Sequence, residues 1–251
     1  MTTISTARKR AEQALDIDRV VENMLHGLEI YCRHVRPCVT PDFFDKFRTY
    51  TEKHPPRIYS RKPVAVHEAG HFGVMHAEGF GPSIARLRNK SREGFGWFGR
   101  TWADRASNIQ SPPSEILRDA ISTLAGPLSE ERHGDASCRA AENIEELCGA
   151  YFLTMHAAHV LGWSKSKGQL WQSTLIGAAA RVEFYGQEIR ELADVLAKRC
   201  CIHVTDKDVK RILGRIDGRP FNVQASGAYN LSPRGAAMIG DINETLKELL
   251  K

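Results

Sequence analysis

Two histidines and a glutamate occur together in the segment AVHEAGHFGVMHAEGF, residues 65–80, and their spacing could support metal chemistry. His67 and His71 are four residues apart, so on an α-helix their imidazoles project from one face about one turn apart. Two imidazole nitrogens at that spacing can bind one zinc ion. Glu68 is adjacent to His67, where its carboxylate can reach a metal-bound water rather than the metal. The segment therefore predicts two metal ligands and a general base.

The alternative is a surface helix on which the two histidines and the glutamate are simply solvated. The flanking residues argue against it, because they are apolar or small: Val64, Val66, Ala69, Gly70, Val74 and Met75. A helix of this composition is expected to be buried, and an unpaired imidazole or carboxylate inside it would be costly. The composition of the helix therefore favours the metal site over the solvated surface.

The remaining pattern predicts the elements that must position this helix. "SIARLRN" and "GFGWFGRTW" predict two short strands around a polar turn. Helical periodicity predicts seven helical segments. The first covers residues 7–34, and a short one follows Thr40 and Pro41. The others are "SEILRDAISTLAGPLSEERHG" with a kink at Pro127, about 140–161, about 170–199, "TDKDVKRIL" and "GDINETLKELL". The expected fold class is α+β, predominantly helical, with a small β-sheet.

The string "AVHEAGHFGVMHAEG" resembles the peptidase domain of the FtsH-type zinc metalloproteases, whose motif is HEAGH itself. "SIARLRNKSREGFGWFGRTW" is similar to that family's strand pair beside the cleft, and "SEILRDAISTLAGPLSEERHGDAS" to its second helix. "IRELADVLAKRCCIHVTDKDVKRIL" resembles its C-terminal helical end, so the likeness covers about residues 60–213. The resemblance implies a zincin-like fold in which His67 and His71 bind zinc and Glu68 is the catalytic base.

The sequence lacks the GxxxxGK[ST] phosphate loop of the ATPase module that feeds substrates to the larger members of that family. The resemblance therefore implies a stand-alone peptidase domain. We expect an N-terminal helical extension and linker over residues 1–60, the FtsH-like peptidase domain over 61–213, and a C-terminal tail with a short helix over 214–251. A homo-oligomer is a possible assembly, since members of the family form rings.

The third zinc ligand is where the chain departs from the family, which has an aspartate at the start of the helix after a G-A-S segment. Strict spacing gives Arg139 at that position, and the apolar phase of the following helix gives Asn143. The chemically able residues nearby are Asp135, Cys138, Glu142, Glu145 and Glu146. We nominate Glu142, which adjoins the phase-matched position and has a long side chain, with Asp135 as the second choice.

Several other polar residues have a structural as well as a functional interpretation. Glu130 and Glu131 follow the family's second-helix pattern, and one of them could orient a ligating histidine or both could be solvated at the helix end. His156 and His159 are three residues apart without a third partner, and with His76 they are expected to be structural.

An aromatic-rich segment follows the predicted turn and contains Phe95, Trp97, Phe98 and Trp102. Core packing explains such residues, but the glycines at 94, 96 and 99 would also let a peptide backbone approach and add a strand. The basic residues of the same region suggest a solvated face or a peptide-handling edge. No recognition motif accompanies them, so we expect no nucleic-acid partner.

The composition is ordinary for a globular protein, with 251 residues, 42% hydrophobic residues, 26% charged residues and a net charge of +5. No run approaches the roughly 18–20 apolar residues of a membrane-spanning helix, and the N-terminus does not read as a secretory signal, so the expected location is the cytoplasm. The six cysteines form no CxxC pair and are expected to be free thiols.

These expectations combine into an ATP-independent, zinc-dependent endopeptidase that cleaves loosely folded polypeptide segments. Two alternatives remain open at this point. The chain could be an inactive descendant that keeps the peptidase fold as a binding module, or a nucleic-acid-binding protein that uses its basic strand over residues 86–100.

Overall fold

The computed structural model of the protein describes residues 42–54, 59–90, 96–105, 107–108, 110–222 and 231–250. The predicted helical segment 7–34 lies outside the described residues, as do Thr40, Pro41 and Phe95. Within the described ranges the α-helices are α1 Phe43–Lys53, α2 Arg61–Ala77, α3 Pro113–His133, α4 Ile144–Val160, α5 Lys167–Phe184, α6 Gly186–Arg199, α7 Lys207–Asp217 and α8 Pro233–Leu250.

Three strands complete these elements: β1 Pro82–Asn89, β2 Trp97–Ala103 and β3 Cys201–His203. They form one antiparallel sheet in the order β2-β1-β3, so β1 is central and β2 is an edge strand of the sheet that the described residues form. The predicted fold class, α+β and predominantly helical with a small sheet, is confirmed.

The strand pair predicted from "SIARLRN" and "GFGWFGRTW" is confirmed, whereas β3 was not predicted. Three predicted helices differ clearly in their bounds. The helix expected in "GDINETLKELL", residues 240–250, begins earlier, at Pro233. The helix expected from about residue 140 begins with a 3-10 turn over Ala140–Glu142, and the α-helix starts only at Ile144. The helix expected over about 170–199 is two helices, α5 and α6, that meet at Tyr185.

Helix α2 is the centre of the core, because twelve consecutive residues, 63–74, are buried. It packs against α3 and α6 on one side and against β1 and β2 on the other. Its hydrophobic neighbours include fully buried side chains from three elements, namely Leu124 and Leu128 of α3, Ile189 and Leu192 of α6 and Ala85 of β1. A helix covered on all sides holds its polar side chains in a fixed, dry setting.

The crossing of α2 and α3 depends on a glycine. A Cβ atom built on Gly70 would lie 2.3 Å from Ser129 Oγ and 2.5 Å from the Ala125 carbonyl oxygen of α3. The absence of a side chain therefore lets the two helix backbones approach closely. Across the part of the chain that the structure describes, no helix combines the length and the apolar character needed to cross a membrane.

We predict that Gly70→Ala lowers the free energy of unfolding by about 1–3 kcal/mol, because the added methyl group overpacks the α2–α3 crossing and the Ala125 backbone must move. Gly214→Ala in α7 is the matched control, since nothing lies within 4 Å of its added Cβ. This control should gain up to about 1 kcal/mol from helix propensity. Urea unfolding measures both variants, and equal stability of the two would contradict the close crossing.

Candidate metal centre

Helix α2 presents His67 and His71 from one buried face. The exposed fraction of each residue is below one tenth, at 9% for His67 and 7% for His71. The two imidazole rings meet edge to face with centroids 4.8 Å apart, and their Nε2 atoms lie 3.1 Å from each other. Both nitrogens therefore point at the same small volume, as the spacing of four residues predicts.

Glu146 of α4 completes this group. Its Oε1 lies 3.2 Å from His71 Nε2, and its Oε2 lies 3.1 Å from His67 Nε2. Two ligands at ~2.0–2.1 Å from one tetrahedral ion are about 3.3 Å apart, so these separations fit a common cation. The buried His67 and His71 and the partly buried Glu146 form a group that could hold a metal ion.

The structure places Glu146, rather than Glu142 or Asp135, with the two histidines. Asp135 is exposed in the loop after α3, and Glu142 lies in the 3-10 turn, where its backbone N–H donates to the Arg139 carbonyl at 3.1 Å. Glu146 lies in the first turn of α4, whereas Glu142 lies in the 3-10 turn before it, so the two side chains do not follow one continuous helix face. The proposed centre therefore uses Glu146 where the sequence suggested Glu142.

The sequence did contain a signal for Glu146. On an α-helix, Glu146 shares one face with Gly149, Ala150 and Leu153, all of which are buried in α4. A carboxylate on such an apolar face needs a buried partner, whereas a carboxylate on a solvated face does not.

Each histidine is oriented through its other ring nitrogen. His67 Nδ1 lies 2.9 Å from Glu130 Oε2, and His71 Nδ1 lies 2.9 Å from the Ser122 carbonyl oxygen. The Glu130 carboxylate and the Ser122 carbonyl accept hydrogen bonds, so each Nδ1 donates and each Nε2 is the nitrogen that binds either a proton or a metal ion. Glu130 thus makes the contact expected for one of the two glutamates, while Glu131 accepts the Ala140 backbone N–H at 2.6 Å.

Glycines make room for the side chains of the site. A Cβ atom at Gly126 of α3 would lie 2.2 Å from His71 Nε2, and one at Gly99 of β2 would lie 2.4 Å from Glu68 Cγ. Neither position could carry a side chain without displacing the site residue next to it. Helix α3 and strand β2 therefore form walls of the cavity by backbone alone.

Glu68 points from α2 towards β2 and is 5% exposed. Its Oε2 accepts a hydrogen bond from Thr101 Oγ1 at 2.8 Å. Burial raises the pKa of the Glu68 carboxyl, and the neighbouring His67 and His71 act in the opposite direction. A carboxyl group with a raised pKa beside two metal-binding imidazoles is suited to accept and return a proton.

The charges of the group are mutually compensating. Burial is the largest single cause and lowers the pKa of His67 and of His71. The neighbouring carboxylates together outweigh it, Glu146 first, with Glu130 at His67 and Glu68 at His71, so the pKa of each imidazole is raised, that of His67 strongly. Burial favours the neutral acid at Glu146, yet the two imidazoles hold the pKa of this carboxyl far below its usual range. The site therefore requires positive charge next to Glu146, from protons or from a metal ion.

The other candidate residues lie apart from this group. His76 contacts Asp217 at 2.8 Å, His156 is buried within α4, and His159 is exposed. Burial raises the pKa of Cys138 to about 11, which disfavours the thiolate that a metal would need. Cys138, Cys148, Cys200 and Cys201 are free thiols, as predicted, and Cys32 and Cys38 lie outside the described residues.

Neither the models of known protein families nor the curated proteins give a significant match to this chain. The chemistry of the site is therefore argued from its own geometry, namely three converging ligand atoms, two oriented imidazoles and one buried carboxyl beside them.

We predict that Glu146→Ala lowers the affinity for a divalent metal by more than the roughly 10–100-fold that loss of an outer partner typically costs. The reason is that it removes the carboxylate 3.1–3.2 Å from both Nε2 atoms. Glu142→Ala is the matched control on the same segment and should bind metal like the unaltered chain. Metal content after dialysis against a weak chelator compares the two, and greater loss in Glu142→Ala would refute the assignment.

We also predict that metal binds more tightly as the pH rises from 6 to 8. The raised pKa values of His67 and His71 keep protons on the imidazoles, and a metal ion must displace these protons to reach the lone pairs. The affinity should rise roughly tenfold per pH unit for each proton displaced. Calorimetry in buffers of different ionisation enthalpy counts the released protons. An affinity independent of pH, without proton release, is the opposing result.

Proposed function

We propose that this protein is a zinc-dependent endopeptidase that hydrolyses peptide bonds in loosely folded polypeptide segments without ATP. The observation that carries the proposal is the convergence of His67, His71 and Glu146 beside the buried carboxyl of Glu68. Two imidazoles and one carboxylate, with a coordination position left for water or substrate, are a donor set typical of catalytic zinc. The resemblance of the HEAGH segment and its neighbours to FtsH-type peptidases supports the same chemistry.

The chain's own residues account for the steps that need protein groups. Bound zinc would supply a Lewis acid that polarises the peptide carbonyl and lowers the pKa of a water. Glu68 accepts the proton of the attacking water at its carboxylate and passes it to the departing nitrogen. Thr101 holds the Glu68 carboxylate through the 2.8 Å hydrogen bond, and Glu130 holds His67. Burial of His67, Glu68 and Glu130 limits the access of bulk water to the reacting bond.

The outer edge of β2, which no other strand of the described residues covers beyond the Tyr59 bridge, supports an extended peptide substrate. Leu87 of β1 lies directly opposite Gly99 of β2. The Leu87 N–H does not donate to Gly99 but to the Cys200 carbonyl, which lies on the side of β1 away from β2. The N–H and C=O of a strand residue point the same way, so the backbone groups of Gly99 point away from β1. The backbone groups of Trp97, two residues before Gly99, also point away from β1, since the Trp97 N–H donates to the Tyr59 carbonyl at 3.1 Å.

Gly99 and Thr101 therefore direct their backbone N–H and C=O groups to the side of β2 that no strand of the described residues covers, next to Glu68. An extended peptide can add there as a further strand, with main-chain hydrogen bonds that do not depend on its sequence. A folded segment could not present its backbone in this way. This requirement is the reason for proposing loosely folded substrates.

We predict that Glu68→Gln lowers kcat for cleavage of an unfolded casein-type substrate by at least about 10²-fold, since general-base catalysis typically contributes 10²–10⁴-fold. Zinc content should be unchanged, because the ligands stay in place. Glu244→Gln, an exposed position on α8, is the control and should keep full activity. Retained cleavage in Glu68→Gln would contradict the proposal, and absence of cleavage by the zinc-loaded unaltered chain would favour the inactive binding module.

A further inference from the structure

The outer face of the sheet, turned away from α2, is basic. Strand alternation places Arg86 and Arg88 of β1 and Arg100 of β2 on this face, and all three are exposed. The inner face carries Ala85, Leu87 and Ile202, which are buried. None of the three strands contains an aspartate or a glutamate.

Two of these arginines are direct cross-strand neighbours, since Arg86 pairs with Arg100 in the register of β1 and β2. Directly opposite residues have Cβ atoms about 4.5–5.5 Å apart, and like charges there are unfavourable. Among the described residues, no carboxylate forms an ion pair with Arg86, Arg88 or Arg100. The face thus holds three guanidinium groups without a described counter-charge.

This basic face is continuous with the edge to which the proposed substrate adds. In a strand paired with β2, alternate side chains project on the same side as Phe98, Arg100 and Trp102. Arg100 would be in the adjacent strand, and Arg86 and Arg88 one strand further, about 10 Å from the peptide. An acidic substrate side chain in this row would therefore meet Arg100 first.

We propose, on the basis of the proposed peptidase function, that the enzyme prefers peptides with aspartate or glutamate flanking the scissile bond, and that Arg100, with Arg86 and Arg88 behind it, sets this preference. Arg100 is a specificity-determining residue that does not act on the reacting atoms. Charge-assisted hydrogen bonds from its guanidinium to a carboxylate would select acidic side chains over their amides.

A peptide fits this face better than a single-stranded nucleic acid does. Base stacking needs open aromatic ring faces. Here the Lys90 ammonium lies over the Phe98 ring at 5.6 Å, and the Arg100 guanidinium lies over the Trp102 ring at 5.3 Å. Side chains of the protein therefore already cover one face of each ring, and the Arg100 side chain is exposed to solvent, where a substrate carboxylate can reach it.

The test uses sets of three peptides that are identical except at one position, which is Glu, Gln or Lys. One set is made for each position within four residues of the cleavage site. The zinc-loaded full chain should cleave the best glutamate peptide with a kcat/KM about five- to tenfold above its glutamine counterpart, and added salt should reduce the difference. Arg100→Glu should reverse the order, so that the lysine peptide becomes the better substrate. Arg86→Glu should weaken the preference without reversing it.

Lys247→Glu is the control variant, because it makes the same kind of charge change on a helix outside the sheet. Helix α8 packs against α1, α3, α4 and α5, so this variant should leave the substrate preference unaltered. The Arg100 guanidinium lies over the Trp102 ring, so Arg100→Glu could disturb β2. The zinc content of this variant is therefore measured first, to show that the metal centre is intact. Arg86→Glu provides a second, independent variant.

Binding to the Glu68→Gln variant separates failure of this inference from failure of the peptidase function. Fluorescence anisotropy with the same peptides should show tighter binding of the acidic one whether or not the unaltered chain cleaves it. Equal binding and cleavage of the Glu and Gln peptides would overturn the inference while leaving the peptidase function intact. Tighter binding of a single-stranded oligonucleotide than of the acidic peptide, lost in Arg100→Glu, would overturn it in favour of nucleic acid.

Discussion

The Glu146 carboxylate between the two imidazoles of α2 is the interaction on which the rest of the site depends. A buried carboxylate is strongly unfavourable without a nearby positive charge, and two buried imidazoles that face each other at 3.1 Å gain from a negative one. The three groups together therefore require a proton or a cation between them. Glu130 and the Ser122 carbonyl fix the rings from behind, so the choice between a proton and a metal ion is made at the Nε2 atoms.

This constraint explains the packing around α2. The helix must be buried for its polar groups to interact strongly, yet the proposed peptidase would need space for a cation and a substrate. Glycines at three contacts meet both requirements: Gly70 lets α3 approach, Gly126 leaves room for His71, and Gly99 leaves room for Glu68. In the sheet that the described residues form, β2 is an edge strand, and the proposed substrate would reach Glu68 along this edge.

The sequence predicted the parts of the site that lie within one element. His67, Glu68 and His71 share a helical turn, and the fixed period of the helix determines their relative directions. The strand pair could be predicted for the same reason, because alternation and turn residues are local signals. The contact of Glu130 with a histidine could be predicted only from its position in the pattern of the family's second helix.

The third member of the group, Glu146, depends on how two helices meet, which local pattern does not determine. A 3-10 turn separates Glu142 from α4, so the phase of the helix that carries Glu146 does not extend back to Glu142. Strand β3 escaped prediction because it has only three residues, and its place beside β1 follows from the packing of α6 against α2.

X-ray absorption at the zinc K edge of the reconstituted protein tests the central claim most directly. The account predicts scattering from two imidazoles and from carboxylate or water oxygen at ~2.0–2.2 Å, and loss of the carboxylate contribution in Glu146→Ala. A sulfur ligand at ~2.3 Å, or a spectrum identical in the two proteins, would contradict it.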